Sequence, residues 1–258
     1  MNERFVRASR SRLARALGAL CLAVTVSAAA PSRAADLPPY RYVATHCENS
    51  YYFIPTTAAQ ARASVPPRFT IIGEVVGIAI VGVLFVTCDV SLGDGPAERT
   101  SWSEVGVLIL PPGGLDPSSV AFDFYRTWHV TDRKEWLRLN RAWGIPTANV
   151  DVDTSYTPGL PLATSTGDVD DPRGAYGHQG WFEGIVHPGV PGVVRWWTQG
   201  RAGLVRIDQE FVNDSEQCGV GIVTAAGRMA DLAGEIGLGI HGCVVFADLL
   251  GTGVVIEE

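Results

Sequence analysis

Short apolar runs broken by glycine and proline constrain this fold more than any other feature of the sequence. The chain of 258 residues contains 29 glycines and 16 prolines, and β-branched residues dominate many of the runs between them. Such runs favour short strands that bend or end at glycine and proline. Many short strands with few helices are typical of a closed or nearly closed barrel, so we predict a β-rich α+β domain.

The longest of these runs covers residues 71–88 and contains three glycines. Its unbroken apolar part, residues 75–88, is shorter than the about 20 residues that cross a bilayer, so buried strands are predicted here. Residues 156–180 are rich in Gly, Pro, Asp and Thr and are predicted to form loops or a short hairpin. Further strands are predicted over residues 102–110, 121–130, 148–152, 181–186, 193–197, 204–211, 219–223 and 243–249.

Two short helices are predicted between the strands. The first covers residues 57–64, with Pro55 and Thr56 able to start it and a Pro-Pro pair after it. The second follows Asp132, which with Glu135 matches a capping box, and it ends before Gly144.

The first 34 residues are predicted to form a secretory signal peptide. Arginines precede the apolar run 16–30, and Ser32 and Ala34 occupy the two positions that signal peptidase reads. Cleavage after Ala34 would leave a single domain, residues 35–258, that is secreted or periplasmic. Ser27 with Ala29 offers a second cleavage site, and a retained anchor is the alternative. The apolar run is too short to span a bilayer, so no stable membrane anchor is expected.

Signal cleavage would also make the domain strongly acidic. Residues 1–34 carry six arginines and one glutamate, so their removal changes the formal net charge from −7 to −12. An acidic surface repels phosphate backbones, and the mature sequence contains no basic stripe with interleaved aromatics. No nucleic-acid partner is therefore expected. The expected partner is a small molecule, and the sequence leaves open whether the protein forms a homo-oligomer.

Four cysteines follow the signal. An oxidising compartment favours pairing them in one or two disulfides, and the sequence leaves all three pairings open. A zinc site would require Cys or His ligands at close spacing, which these cysteines lack, so no metal is predicted. The four are Cys47, Cys88, Cys218 and Cys243.

Familiar catalytic signatures are missing from the sequence. There is no phosphate-binding loop, dinucleotide fingerprint, paired-histidine zinc helix or nucleophile elbow, so no cofactor is predicted. The acidic segment 168–171 lacks the calcium-loop pattern and is interpreted as a solvated turn. His129 and His241 lie in apolar, strand-like sequence, where a structural role and a ligand contact are both consistent with the pattern.

An ordered series of motifs makes the sequence similar to one known family. In order and spacing these motifs resemble the acetoacetate decarboxylase family over most of residues 50–256, and residues 132–146 match its helix and Gly-aromatic-Pro turn most specifically. The motifs are Tyr52 with Phe53, a helix ending at Val65 and Pro66, SEVG at 103–106, NRAWGIP at 140–146, and Asp231 with Leu232, His241 and Asp248.

The resemblance implies a cone-shaped antiparallel β-barrel with a buried pocket and two or three short helices. In the family, a lysine just after the proline forms a Schiff base with a β-keto acid. Lysine is required because a primary amine of lowered pKa condenses with the ketone and accepts the electrons of the departing carboxylate. Here Thr147 and Ala148 follow the proline, and Lys134, the only lysine of the chain, lies on the predicted helix beside charged neighbours.

The other pocket positions of the family are kept only in part. The resemblance places one pocket glutamate at Glu104. The second glutamate position falls near Val83 and Leu84, and the family's arginine is replaced around Asn49 and Ser50.

These observations lead to three hypotheses, the third of which is a purely structural or interaction role. The first is an exported protein that binds a small apolar or carbonyl compound in the barrel pocket without Schiff-base decarboxylation. The alternative is a lyase or related enzyme that uses Glu104 as acid or base on a keto-type substrate. The predicted ligand contacts are Trp143, Ile145, Thr147, His129 and His241.

Overall fold

The structure is a computed structural model that describes residues 37–114, 121–188, 191–201 and 203–256. The predicted signal peptide, residues 1–34, lies outside these residues. The helices are α1 (Ala58–Arg62), α2 (Lys134–Trp143) and α3 (Gly227–Ala233), and a 3₁₀ turn covers Glu74–Val76. The strands are β1 (Arg41–Thr57), β2 (Thr70–Ile71), β3 (Ile78–Leu92), β4 (Glu98–Leu110), β5 (Ala121–Thr131), β6 (Ala148–Asn149), β7 (Val152–Thr157), β8 (Leu162–Val169), β9 (Tyr176–Glu183), β10 (His187–Pro188), β11 (Gly192–Gly200), β12 (Gly203–Ala225) and β13 (Ile236–Ile256).

Seven strands close into a barrel, in the order β11-β5-β4-β3-β1-β13-β12, and the pairing of β11 with β12 closes it. Neighbouring strands are antiparallel except β5 and β11, which run parallel. Residues 219–225 of β12 pair with β9 as well as with β13, and β9 continues the same sheet into β8 and β7. The predicted β-rich barrel with short helices is confirmed.

Side-chain alternation along the strands separates two cores. On β4, Trp102 belongs to a cluster with buried side chains from all seven barrel strands, which therefore fills the barrel interior. Val105 and Val107 point the other way, into a cluster that α1, α3, β8 and β9 cover from outside. Trp136 and Trp143 of α2 join the interior cluster, so α2 fills one end of the barrel.

The helix predictions hold in position and differ in capping. Thr57 caps α1 in a capping box with Gln60. The capping box predicted at Asp132 was wrong, because the N-cap of α2 is Arg133, without a side-chain bond. The Asp132 carboxylate instead accepts from the backbone N–H of Ser101 at 3.1 Å, tying the end of β5 to β4.

Gly144 ends α2, as predicted, in the left-handed conformation with a φ of 73°. A Cβ at this position would lie 2.4 Å from the backbone nitrogen of Arg201. Glycine is therefore required both for the helix C-cap and for the close approach of the β11–β12 turn.

The segment 156–180 was predicted as loops or a short hairpin, and the hairpin alternative is the one that the structure supports, because β8 pairs antiparallel with both β7 and β9. It contains all of β8, the end of β7 and the start of β9. The buried positions of β8 are occupied by small residues, Ser165 and Gly167 among them, because the His178 and Phe85 rings pack directly against the strand. Small inward residues remove the apolar alternation by which a strand is recognised.

Two disulfides join neighbouring strands of the barrel. Cys47 of β1 pairs with Cys88 of β3. Cys218 of β12 pairs with Cys243 of β13, its register partner. Of the three pairings that the sequence left open, the structure selects this one, and two disulfides are typical of an oxidising environment. Among the described residues, no helix is long and apolar enough to cross a membrane.

Candidate ligand-binding site

A cavity of about 200 Å³ lies inside the barrel, at the end opposite α2. Its walls come from the C-terminal half of β1, the N-terminal halves of β3 and β5, and the facing parts of β11, β12 and β13. Seven aromatic residues line it: Tyr51, Tyr52, Phe53, Phe122, Phe124, Trp196 and Phe211. We call this the barrel cavity.

Close packing of strands and rings shapes one wall of the barrel cavity. Gly82 of β3 also lines it, and a Cβ there would lie 2.6 Å from the Phe124 ring. Phe124 stacks on Phe53, with ring centroids 6.2 Å apart, and on Trp196, at 5.2 Å. Glycine at position 82 thus lets Phe124 pack against β3 while it stacks on Phe53 and Trp196.

Two amide side chains interrupt the apolar lining. Asn49 of β1 is 5% exposed, and its Oδ1 has no hydrogen-bond partner among the described residues. Gln209 of β12 accepts a hydrogen bond from Trp196 Nε1 at 2.7 Å and donates one from Nε2 to Glu104 Oε2 at 2.7 Å. Gln209 therefore connects the cavity wall to a buried carboxylate behind it.

Behind Gln209 lies a buried ion pair. Arg126 Nη2 donates to Glu104 Oε1, and the two side chains are 2% and 1% exposed. The guanidinium also lies over the Trp196 ring, 5.3 Å from its centroid. Burial raises the pKa of Glu104, and the charge of Arg126 and the bond from Gln209 offset this only in part.

His129 completes this polar cluster in its neutral form. Burial, reinforced by the charge of Arg126, lowers the pKa of His129 well below its usual value. Its Nδ1 lies 3.3 Å from the side-chain nitrogen of Asn140, and its Nε2 lies 4.0 Å from Glu104 Oε1. The second distance is too long for a hydrogen bond, so His129 packs beside the ion pair without joining it.

The remaining predicted contact residues lie toward the α2 end of the barrel. Trp143 and Ile145 are buried in the interior cluster, and Trp143 donates to the backbone oxygen of Pro38 at 2.9 Å. Thr147 is half-buried and donates to the Ile145 backbone oxygen. These three residues, with Glu104 and His129, do not line the barrel cavity, and the His241 side chain lies outside the described part of the chain. Their roles toward a ligand stay predictions.

Most residues that line the barrel cavity were missed from the sequence. Phe122 with Phe124 and Val194 with Trp196 are spaced two apart on their strands. This i, i+2 spacing is the signal that could have identified them as one face. Asn49 and Leu84, which do line the cavity, are positions where the resemblance had placed two replaced pocket residues.

The only lysine lies outside the cavity. Lys134 is the first residue of α2 and is exposed. Its neighbour Arg133 is buried and donates to the Val90 backbone oxygen, while Lys134 points to solvent.

Comparison with known proteins identifies the fold. No family model matches the sequence, and no curated protein matches it. The enduracididine biosynthesis enzyme MppR complexed with pyruvate is similar in structure, with a TM-score of 0.64, 12% identity, and coverage of 92% of this chain and 97% of that chain.

Two further solved structures are similar in fold to this chain. An acetoacetate decarboxylase-like enzyme from Sphingomonas wittichii RW1 has a TM-score of 0.60 at 9% identity, covering 86% of this chain and 95% of that one. Acetoacetate decarboxylase from Legionella pneumophila subsp. pneumophila str. Philadelphia 1 has a TM-score of 0.56 at 12% identity, covering 85% and 88%. At such identities the similarity shows the fold alone, and the predicted acetoacetate decarboxylase-like fold is confirmed.

Proposed function

We propose that this protein, with its acetoacetate decarboxylase-like fold, binds a small apolar or carbonyl compound in the barrel cavity without forming a Schiff base. The observation that carries the proposal is the aromatic-lined cavity of about 200 Å³ inside the barrel, to which no lysine contributes. An apolar cavity of about 150 Å³ accommodates benzene, so a ring-sized molecule fits.

The position of Lys134 supports binding without decarboxylation. Schiff-base chemistry requires a primary amine at the substrate carbonyl. Lys134, the only lysine of the chain, is exposed on α2, while the cavity lies at the opposite end of the barrel. The amine and the cavity are therefore separated by the filled part of the barrel interior.

Ligand-observed NMR titration with cyclohexanone and toluene tests the binding proposal. We expect saturable binding to the wild type, reduced at least tenfold by Val194→Trp, because Val194 lines the cavity and the indole would fill it. Val254→Trp is the matched control, since Val254 is exposed on β13 and its replacement leaves the cavity unchanged. Equal binding to the two variants, or no saturable binding to the wild type, would contradict the proposal.

Borohydride trapping tests the absence of Schiff-base chemistry. The protein is incubated with acetoacetate and sodium borohydride, and its intact mass is compared with that of Lys134→Arg. We expect no reduced adduct on either protein and no carbon dioxide release above the buffer rate. An adduct that appears on the wild type and disappears in Lys134→Arg would show that the exposed lysine reacts after all.

An enzyme that uses Glu104 as acid or base is the second candidate function. It is favoured by the raised pKa of Glu104 and by its link through Gln209 to the cavity wall. Binding is preferred because Glu104 itself does not line the cavity. Enolisation of cyclohexanone, followed by deuterium exchange, distinguishes the two, since an enzyme would lose exchange in Glu104→Gln and keep ligand binding.

We also propose that the protein is exported, with residues 1–34 as its signal peptide. The two disulfides support an oxidising destination, secreted or periplasmic. Expression of the full chain in a bacterium, followed by mass measurement, should yield an exported protein that begins at Ala35. Accumulation in the cytoplasm with Met1 retained would contradict export. That the protein has no nucleic-acid partner stays a prediction from the sequence. The sequence also leaves a homo-oligomer possible.

A further inference from the structure

We infer that the ligand of the barrel cavity is a neutral aromatic compound with one hydrogen-bonding hydroxyl, of which phenol is the simplest example. This inference rests on the proposed binding function and specifies its ligand. Three properties of the wall carry it: its aromatic lining, its charge and its single unpartnered amide.

The aromatic lining favours a planar ring. The Phe53 and Phe124 rings are inclined by 15°, and the Phe124 and Trp196 rings by 29°. Phe122 and Phe211 also line the cavity. Aromatic rings prefer offset-stacked or edge-on contacts with other rings, and such pairs add about 0.5–1.5 kcal/mol beyond area burial. A ring-sized planar ligand gains these contacts, whereas a branched aliphatic ligand gains only burial.

The charge of the wall disfavours a carboxylate. No arginine or lysine stands among the described residues that line the cavity, and Glu216 adds a negative charge to it. The nearest buried cation, Arg126, is already paired with Glu104. A ligand carboxylate would lose its hydration without gaining a counter-ion, which is strongly unfavourable in apolar surroundings. Anionic keto acids are therefore poor ligands for this cavity.

Asn49 provides the polar contact. Its side chain is buried in the cavity wall, and its Oδ1 has no partner among the described residues. Both ends of the Gln209 amide are bonded within the protein, so Asn49 is the amide left for a ligand. The two ends of an asparagine amide can exchange by rotation. A hydroxyl both donates and accepts, so it satisfies Asn49 in either orientation.

Three ring-sized probes and one small cation test the inference at pH 7.5: phenol, toluene, benzoate and tetramethylammonium, each titrated by ligand-observed NMR. We expect phenol to bind at least tenfold more tightly than benzoate or tetramethylammonium, and the binding to be lost in Val194→Trp. Asn49→Leu, which keeps the side-chain shape, should weaken phenol about tenfold, as loss of one buried hydrogen bond implies, and leave toluene unchanged. Retained toluene binding also shows that the variant is folded.

The outcomes separate this inference from the proposed function. Tighter binding of benzoate or tetramethylammonium at the cavity would overturn the neutral aromatic class while a ligand-binding cavity remained. Unchanged phenol affinity in Asn49→Leu would overturn the assigned polar contact. If phenol, toluene and cyclohexanone all failed to bind, the proposed function itself would be wrong.

Discussion

Replacing Arg126 with methionine is expected to destabilise the protein by about 3–5 kcal/mol, because the change leaves the Glu104 carboxylate buried and unpaired. Glu104 is 1% exposed, and among the described residues Arg126 is the only cation within salt-bridge distance of it, because the nearby His129 is neutral. The variant would also lose the contact of the guanidinium with Trp196. Urea unfolding at pH 7 measures the loss.

The pH dependence identifies the cause of this loss. Burial already raises the pKa of Glu104, and removal of Arg126 would raise it further. A carboxyl whose pKa is higher in the folded state contributes its full stability below the unfolded pKa and loses it as pH rises through the folded pKa. The defect of Arg126→Met should therefore be smallest near pH 4 and largest above neutrality.

Two control variants accompany Arg126→Met. Arg99→Met removes the cation of an exposed pair with Asp89 and should change stability by no more than about 1 kcal/mol. The double variant Glu104→Leu with Arg126→Met removes both charges and should recover most of the loss. If Arg126→Met were as harmless as Arg99→Met, the buried pair would not contribute as described.

Acidification to pH 4.5 is expected to cost about 3 kcal/mol of folding free energy through His178 alone. Burial lowers the pKa of His178 to about 3, because its ring is enclosed between Phe85 and Tyr52. The unfolded chain takes up this proton near the ordinary histidine pKa, whereas the folded chain resists it. The penalty is therefore absent at pH 7, begins as pH falls through about 6.5 and grows until pH reaches about 3.

His178→Gln isolates this contribution. The glutamine amide does not titrate and can keep the hydrogen bond that links His178 Nε2 to Ser165 Oγ at 3.0 Å. Between pH 7 and pH 4.5, the free energy of unfolding should fall by about 3 kcal/mol less in the variant than in the wild type. His187→Gln is the matched control, because His187 is exposed, and its pH dependence should equal that of the wild type. Identical pH dependence in His178→Gln and the wild type would show that His178 is not protected from protonation.

Part of the site follows from local sequence and part does not. Glu104 was singled out from the resemblance, and the structure places it in the barrel interior next to the cavity, reached through Gln209. Nothing in the local sequence predicted that Gln209 is buried, since a glutamine on a predicted strand is ordinarily a surface residue. Its burial depends on Trp196 and Glu104, which lie 13 and 105 positions away.

The sequence by itself predicted that the protein consists mainly of strands and that α2 ends at Gly144. Through its ordered motifs it also predicted the barrel fold. These features depend on local conformational preference or on motif order, both of which one chain displays directly. Only the tertiary structure decided at which end of the barrel the cavity lies and which cysteines pair. Alternation places side chains on two faces, but the register of distant strands and the closure of β11 on β12 decide which face is enclosed. A cavity formed by six strands therefore exists only after the barrel has closed.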